Sequence, residues 1–233
     1  HYGLNPMNAA DALLDNDNDG FSAWQEYRAG SFDNDASSYP QVAYVDFEAA
    51  VLSPLYWRHD GNTSWQIDAS AIIDGDYALR SGVIGDEQTS VFETSVSASG
   101  LPLSFMLSVS SEEGYDELVF YIDDVEQGLW SGEIENLSVS FPLSAGQHRL
   151  SWIYQKDSSS SEGTDSAWID NLSIPVNFDA DNDGIDDSWE LLYFNDLNAD
   201  LALDDDNDGL TASQEYQTKT NPAVADSDDD GMN

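Results

Sequence analysis

"LSFMLSV", residues 103–109, sets Leu103, Phe105, Leu107 and Val109 at every second position, with Ser104, Met106 and Ser108 between them. A period of two belongs to a strand, whose successive side chains point to opposite faces. The same pattern recurs downstream. "ELVFYID" (117–123) places Leu118, Phe120 and Ile122 on one face. "LSVSFPL" (137–143) does so with Leu137, Val139, Phe141 and Leu143, and "RLSWIYQ" (149–155) with Leu150, Trp152 and Tyr154. Turn-forming stretches such as "SGVIGDEQ", "SSEEGYD" and "LSAGQ" separate the runs. Strands apolar on one face and joined by turns predict an antiparallel sandwich over residues 41–175, with room for roughly nine strands. The expected fold is mainly β, an antiparallel sandwich with acidic, cluster-rich segments at 1–40 and 176–233.

Charge narrows the partners. Six Lys and Arg stand against 46 Asp and Glu, a formal net charge of −40. Such a surface repels phosphate, so nucleic acid is excluded as a partner, and an anionic membrane surface is disfavoured. No apolar run reaches ~18 residues, so no membrane insertion by a helix is expected. Cysteine is absent, so any stapling must come from something other than disulfides. Multivalent cations are the natural partners.

The flanks say where those cations belong. "DADNDGIDDSWE" (179–190) carries Asp179, Asp181 and Asp183, then Gly184, Ile185, Asp187 and Glu190. The first segment repeats the pattern with Asp15, Asp17, Asp19, Gly20, Phe21 and Glu26, and the third with Asp204, Asp206, Asp208, Gly209, Leu210 and Glu215. A fourth, Asp226, Asp228, Asp230, Gly231 and Met232, stands at the end of the sequence. Counted as twelve-residue loops, acids fall at positions 1, 3, 5 and 12 and glycine at 6, the template of a calcium loop. Alternate Asp carboxylates converge, glycine supplies the turn, and the apolar residue at position 7 offers its carbonyl while burying its side chain. The Glu closes the shell with two oxygens. Asp187, at position 9, is either a direct ligand or a water-mediated one. Solvated acidic turns are the plainer alternative, and the recurrence weighs against it. Short helices are expected after each loop, in "SAWQEYRAG", "DSWELLYF" and "TASQEYQTKT".

These flanks resemble bacterial thrombospondin type 3 repeats and, more loosely, EF-hands and dockerins. The resemblance implies structural Ca2+ in an extracellular or cell-surface protein. The first and third segments also line up with each other over 2–30 and 193–220, which points to repetition and to neighbouring copies or domains of the same protein as partners in a tandem array or fibre. The central zone opens "VDFEAA" and closes "AWIDNLSIP", and so resembles the MAM-like jelly rolls of the concanavalin-like sandwiches. That resemblance implies binding or adhesion, not catalysis. In related jelly rolls the first and last strands can share a structural calcium, which makes Glu48 and Asp170 candidates and Asp46 a weaker one; acids capping strand ends in solvent are the alternative.

Catalysis finds little support in the sequence. No nucleophile elbow or Gly-rich phosphate loop occurs, and the three histidines, His1, His59 and His148, form no zinc-ligand pattern. The rival function is carbohydrate binding, as a module of a secreted polysaccharide-degrading enzyme. "LYWRHDGNTSW" gathers Tyr56 and Trp57, and "GLWSGE" supplies Trp130, as contacts for a glycan, against core packing for each ring.

Overall fold

The computed structural model describes residues 14–18, 21–29, 31–36, 38–48, 55–69 and 73–227. Eleven strands and three short helices are present among them. The first sheet runs β3 (Gln66–Asp68), β4 (Ala78–Arg80), β11 (Ser166–Asn177), β6 (Leu103–Ser110), β9 (Glu133–Phe141). β1 (Val42–Val45) lies beside β4, on the later half of β11. The second runs β2 (Arg58–Gly61), β5 (Thr89–Ser99), β10 (Ala145–Gln155), β7 (Glu117–Ile122), β8 (Val125–Trp130). Every pairing among the described strands is antiparallel. The last residues of β11 leave the first sheet and pair with the second, Val176 with Ala98 and Asn177 with Ser97. One strand therefore ties both layers of the jelly-roll sandwich.

The alternation read at 103–109 is the burial pattern. Leu103, Phe105, Leu107 and Val109 are buried, as are Leu118, Phe120 and Ile122 and also Leu150, Trp152 and Tyr154. These meet in one core centred on Trp152, whose ring lies 4.9 Å from Phe120, 5.5 Å from Phe105 and 6.1 Å from Phe92. Rings at such separations in tilted or edge-on arrangements pack favourably beyond the area they bury.

"LSVSFPL" behaves differently. Residues 137–141 of it lie in β9, at the edge of the first sheet, where Ile134, Val139 and Phe141 are only partly buried; Leu143, just past the strand, is buried in the core. Leu137 pairs with Leu107 across the ladder, yet Leu137 is 38% exposed and Leu107 is fully buried. The apolar period was right; what differs is that an edge strand has a covering neighbour on one side only.

The helices α1 (Ala23–Ala29), α2 (Asp187–Tyr193) and α3 (Ala212–Thr218) each follow an acidic loop, as the sequence predicts. Their starts are capped by side chains: Thr211 and Gln214 form a reciprocal capping box, Asp186 accepts from the Ser188 N–H, and Ser22 and Gln25 exchange bonds.

The contrast between the two paired leucines is measurable. Leu107→Ala should lower unfolding free energy by about 2–5 kcal/mol, whereas Leu137→Ala should cost under about 1 kcal/mol, both read from urea denaturation midpoints.

Candidate metal centre

The acidic loops share one backbone design. In each, the N–H of the ninth residue donates to the carbonyl just before the loop: Ala23 to Leu14 (2.8 Å), Asp187 to Phe178 (2.7 Å), Ala212 to Leu203 (2.9 Å). That bond draws the chain into a closed turn whose exit is the first turn of a helix. Inside it, the first Asp holds the next peptide groups. Asp179 accepts from the N–H groups of Asp183 and Gly184, both at 3.1 Å. Asp204 accepts from Asp208 at 3.2 Å and Gly209 at 3.1 Å, and Asp15 from Asn18 at 2.7 Å. The fourth position is an asparagine with positive φ in all three, Asn18 (63°), Asn182 (64°) and Asn207 (65°), a residue that tolerates the left-handed region. Gly184 (89°) and Gly209 (98°) follow, where a side chain would be strained.

This fold of the backbone gathers the carboxylates. Ligand oxygens of Asp179, Asp181 and Asp187 lie within 4.8 Å of one another, as do those of Asp181, Asp183 and Glu190 and those of Asp204, Asp206 and Asp208. The position-12 glutamates are brought in by the helices. Glu190 on α2 and Glu215 on α3 are fully buried, and neither oxygen of either one has a hydrogen-bond partner. Asp187 is also buried; Ala180 N–H donates to its Oδ1 at 2.8 Å, and its Oδ2 has no hydrogen-bond partner. Among the described residues no ion pair reaches any acid of these two loops: Arg58, Arg80, Arg149 and Lys156 pair elsewhere.

Burying an unpaired carboxylate costs several kcal/mol unless it protonates or meets a cation. The first escape corresponds to a raised carboxyl pKa. Burial, then Asp183 and Asp181, pushes Glu190 up to about 8; burial, then Asp206 and Asp208, pushes Glu215 up to about 7. The donor set fits the second escape better. It is all oxygen, without His or Cys, and a hard cation such as Ca2+ with six to eight oxygen ligands suits it.

The remaining sequence candidates divide. Ile185 and Phe21, at position 7, are buried, and Leu210 is half-buried. Asp17 is half-buried, and Glu26 is buried and accepts from the Ser31 hydroxyl at 3.2 Å. Asp19, Asp228, Asp230 and Met232 lie outside the described residues, so of the fourth cluster only Asp226 is described. Glu48 and Asp170 do come to one place. The Asp76 and Tyr77 N–H groups donate to Glu48, and the Asp74 N–H donates to Asp170 at 3.2 Å. Burial first, then the Glu48 and Asp74 charges, pushes the buried Asp170 up to about 7 against those hydrogen bonds. Asp74 was not singled out by the sequence; it is brought beside Asp170 by the 73–77 turn.

The aromatic candidates face inward or toward the loops. Trp57 stacks on Phe92 at 4.3 Å, and Trp130 meets Phe105 and Phe141 edge-on at 6.2 and 6.3 Å. Tyr56 is a joint: its N–H donates to Ser188 Oγ on α2, and its carbonyl accepts from Thr94 Oγ1 on β5. It packs on a satellite core of Ile185, Trp189 and Ala212, with Tyr216. The second and third loops are therefore fastened to each other and to the sandwich. An open cleft of about 620 Å3 lies where they meet, lined by Tyr39, Tyr56, Tyr216, Asn18, Asn182 and Asp186 among others.

No known family profile matches the chain, and no curated protein matches it. Solved structures share parts of the fold. A secreted serine protease, VesC from Vibrio cholerae, aligns at 20% identity and a TM-score of 0.44, over 57% of this chain and 28% of the protease chain. The K1 cleaved adhesin domain of Lys-gingipain from Porphyromonas gingivalis W83 aligns at 14% identity and 0.42, over 58% of this chain and 98% of that domain. The module TmCBM61, solved with β-1,4-galactotriose, aligns at 13% and 0.39, over 57% and 94%. This chain thus spans little more than a quarter of the protease.

The raised carboxyls give the metal-free protein a defined pH dependence. Glu190, Glu215 and Asp170 each bind a proton more readily when folded than their ordinary values of 4.5, 4.5 and 3.8 allow when unfolded. The folded state thus holds more protons between about pH 4 and 8, and stability falls as pH rises through that window. After exhaustive chelation, the melting temperature should be higher at pH 5 than at pH 8; in excess Ca2+ the order should reverse, because metal displaces those protons.

Proposed function

We propose that this chain is a calcium-stabilised β-sandwich module of a secreted or surface protein, with a structural and adhesive rather than a catalytic role. The observation that carries the reading is the pair Glu190 and Glu215: fully buried, without a hydrogen bond on either carboxylate, Glu190 within 4.8 Å of Asp181 and Asp183 and Glu215 in the field of Asp206 and Asp208. In this reading Asp179, Asp181, Asp183, Asp187 and Glu190 hold one centre and Asp204, Asp206, Asp208 and Glu215 another, with the Ile185 and Leu210 carbonyls as further donors. The first loop, with Asp15, Asp17 and Glu26, follows the same plan, and the fourth cluster repeats its acid spacing in the sequence. Ca2+ supplies the positive charge that the protein's few basic groups do not bring. The loops then lock, and because the second and third are packed on Tyr56 and β5, their locking fixes the direction in which neighbouring domains or copies leave the sandwich.

The size of the effect follows from linkage. At ~100 times the dissociation constant, each independent site adds about 2.7 kcal/mol. Two sites would give ~5 kcal/mol, on the order of 10–20 °C in melting temperature for a chain of this size. Removal of Ca2+ by EGTA at pH 8 should produce a drop of that order in differential scanning calorimetry, and an unchanged melting curve would sink the reading. Glu190→Gln gives a sharper test because its sign inverts. The variant should be less stable than the parent in millimolar Ca2+ and more stable than it in EGTA at pH 8, where the parent buries an uncompensated carboxylate.

Glycan binding is a second reading, favoured by the cleft at the loop junction. Three tyrosines with asparagine and carboxylate groups suit a sugar, whose faces stack on rings and whose hydroxyls need polar partners. Because Asn18 and Asn182 belong to the acidic loops, binding there should require the cation. A glycan-array hit abolished by EGTA and weakened at least tenfold by Tyr56→Ala, with the fold intact, is the expected outcome; binding indifferent to both would place the sugar elsewhere.

A further inference from the structure

A buried lysine lies beside the start of β11, whose far end leads into the 179–190 loop. Two loops cross between the sheets there: residues 111–116 join β6 to β7, and residues 156–165 join β10 to β11. Lys156 opens the second crossing and Asp165 closes it. Burying an ammonium is costly unless it is paired, yet the Lys156 side chain is only 2% exposed and that of Asp116, from the first crossing, is 0% exposed. The ammonium donates to Asp165 and to Ser161 Oγ, and it stands 3.5 Å from Asp116 Oδ2.

The two oxygens of Asp165 have different partners. Oδ2 faces the ammonium, and Oδ1 accepts from the hydroxyl of the buried Tyr154 at 2.9 Å. Burial, then the bond to Asp165, raises the Tyr154 phenol, so it remains a donor at neutral pH. Burial opposes the Lys156 ammonium, but the Asp165 and Asp116 charges outweigh it, and the resting pair is ionic. Asp116 holds the Asp157 N–H on Oδ1 at 3.1 Å. Burial pushes its carboxyl up against that bond and against Lys156, which readies it to take a proton. A lysine nitrogen, a carboxyl carbon, a hydroxyl donating to that carboxyl and a second carboxyl able to carry a proton thus meet in one buried place, the parts needed for acyl transfer to an amine.

We propose that Lys156 and Asp165 join in an intramolecular amide, a covalent staple across the second crossing. Nζ attacks Cγ of Asp165; the C–N bond forms and the Cγ–Oδ2 bond breaks. Two of the three ammonium hydrogens pass to Oδ2, relayed by Asp116, and leave with it as water. Asp116 ends in the state in which it began. The negative charge of the tetrahedral intermediate falls on Oδ1, where the Tyr154 hydroxyl already donates. Reactants held in contact need no encounter step, and burial keeps away the bulk water that would favour hydrolysis. The sequence has no cysteine, so a covalent staple here must use other chemistry. The amide fastens the end of β10, in the second sheet, to the start of β11, in the first, and requires no metal.

The intact mass of the full chain, measured after denaturation, decides the matter without any variant. It should fall short of the sequence mass by a single water molecule, whether or not the protein has been treated with EGTA; the full sequence mass overturns the proposal. Trypsin then locates the bond. Cleavage after Arg149 and Lys219 but not after Lys156 should release residues 150–219 as one peptide, lighter by a water. An amide to Asp116 would instead join that peptide to residues 81–149, and a water lost elsewhere, as in a succinimide, would leave Lys156 open to cleavage; either result overturns the assignment. Lys156→Arg, which keeps the charge, should show its full sequence mass. Asp116→Asn, with its fold checked by near-ultraviolet circular dichroism, should lose the water about 10²-fold more slowly than the parent, and a parent-like rate would refute the relay.

Discussion

Repulsion between carboxylates that the backbone forces together is the constraint on which the rest of this structure turns. Each of the three described acidic loops folds its chain back through one bond from the ninth residue to the residue before the loop. The following helix then carries a glutamate into the interior. Nothing about that glutamate favours burial by itself. Glu190 packs in a helix whose neighbours Ser188, Trp189 and Leu191 are also buried, so apolar packing drags the charge inward. The aromatic contacts of Trp189 with Tyr193, Phe194 and Tyr216, all at centroid separations between 5.2 and 5.6 Å, hold it there. The satellite core and the acidic cluster are thus one structure seen from two sides: hydrophobic burial fixes the geometry, and that geometry sets an electrostatic demand.

The sandwich supplies the rigid frame for that demand. β11 pairs with β1, β4 and β6 in one sheet and, at its end, with β5 in the other. Phe178 follows at once and is buried in the main core against Phe21, with ring centroids 4.6 Å apart. A loop that starts one residue after a core phenylalanine cannot drift far from the sheets. The flanking segments are therefore not free tethers over the described residues. They are fastened to the sandwich through Phe21, Tyr56 and Phe178, and a change in loop order is felt at β5 and β11.

Legibility from sequence followed how local each signal was. The runs at 103–109, 117–123 and 149–155 declared their buried faces because period-two alternation is a property of adjacent residues. The loops were legible for the same reason: acid, glycine and closing glutamate sit within twelve positions, and the short helices follow at once. The run at 137–143 was misleading about Leu137, though not about Leu143, since only the sheet order reveals that β9 is an edge. The short strands β2, β3 and β4 had no periodic signature; they are three or four residues long, below the length at which alternation can be read. The aromatic residues could not be sorted either. Whether Trp57 faces a ligand or Phe92 depends on which strand lies across from it, and that partner is β5, some thirty positions away.

The Glu112, Asp116 and Asp157 group marks the far limit of such reading. Asp116 and Asp157 are 41 positions apart, and neither segment carries a spaced acid pattern. They meet because β6 and β11 are neighbours in one sheet while β7 and β10 are neighbours in the other. Two successive strands on each side must then cross at the same end, and the crossing loops share that end. Topology alone makes the encounter, and one basic group answers it: Lys156, from the second crossing, pairs with Asp116 of the first and with Asp165 of its own. The second and third acidic loops differ in this respect: among the described residues no ammonium or guanidinium reaches Glu190 or Glu215, whose carboxylate oxygens have no hydrogen-bond partner. The crossing balances its buried carboxylate with a residue of its own, and the flanking loops do not.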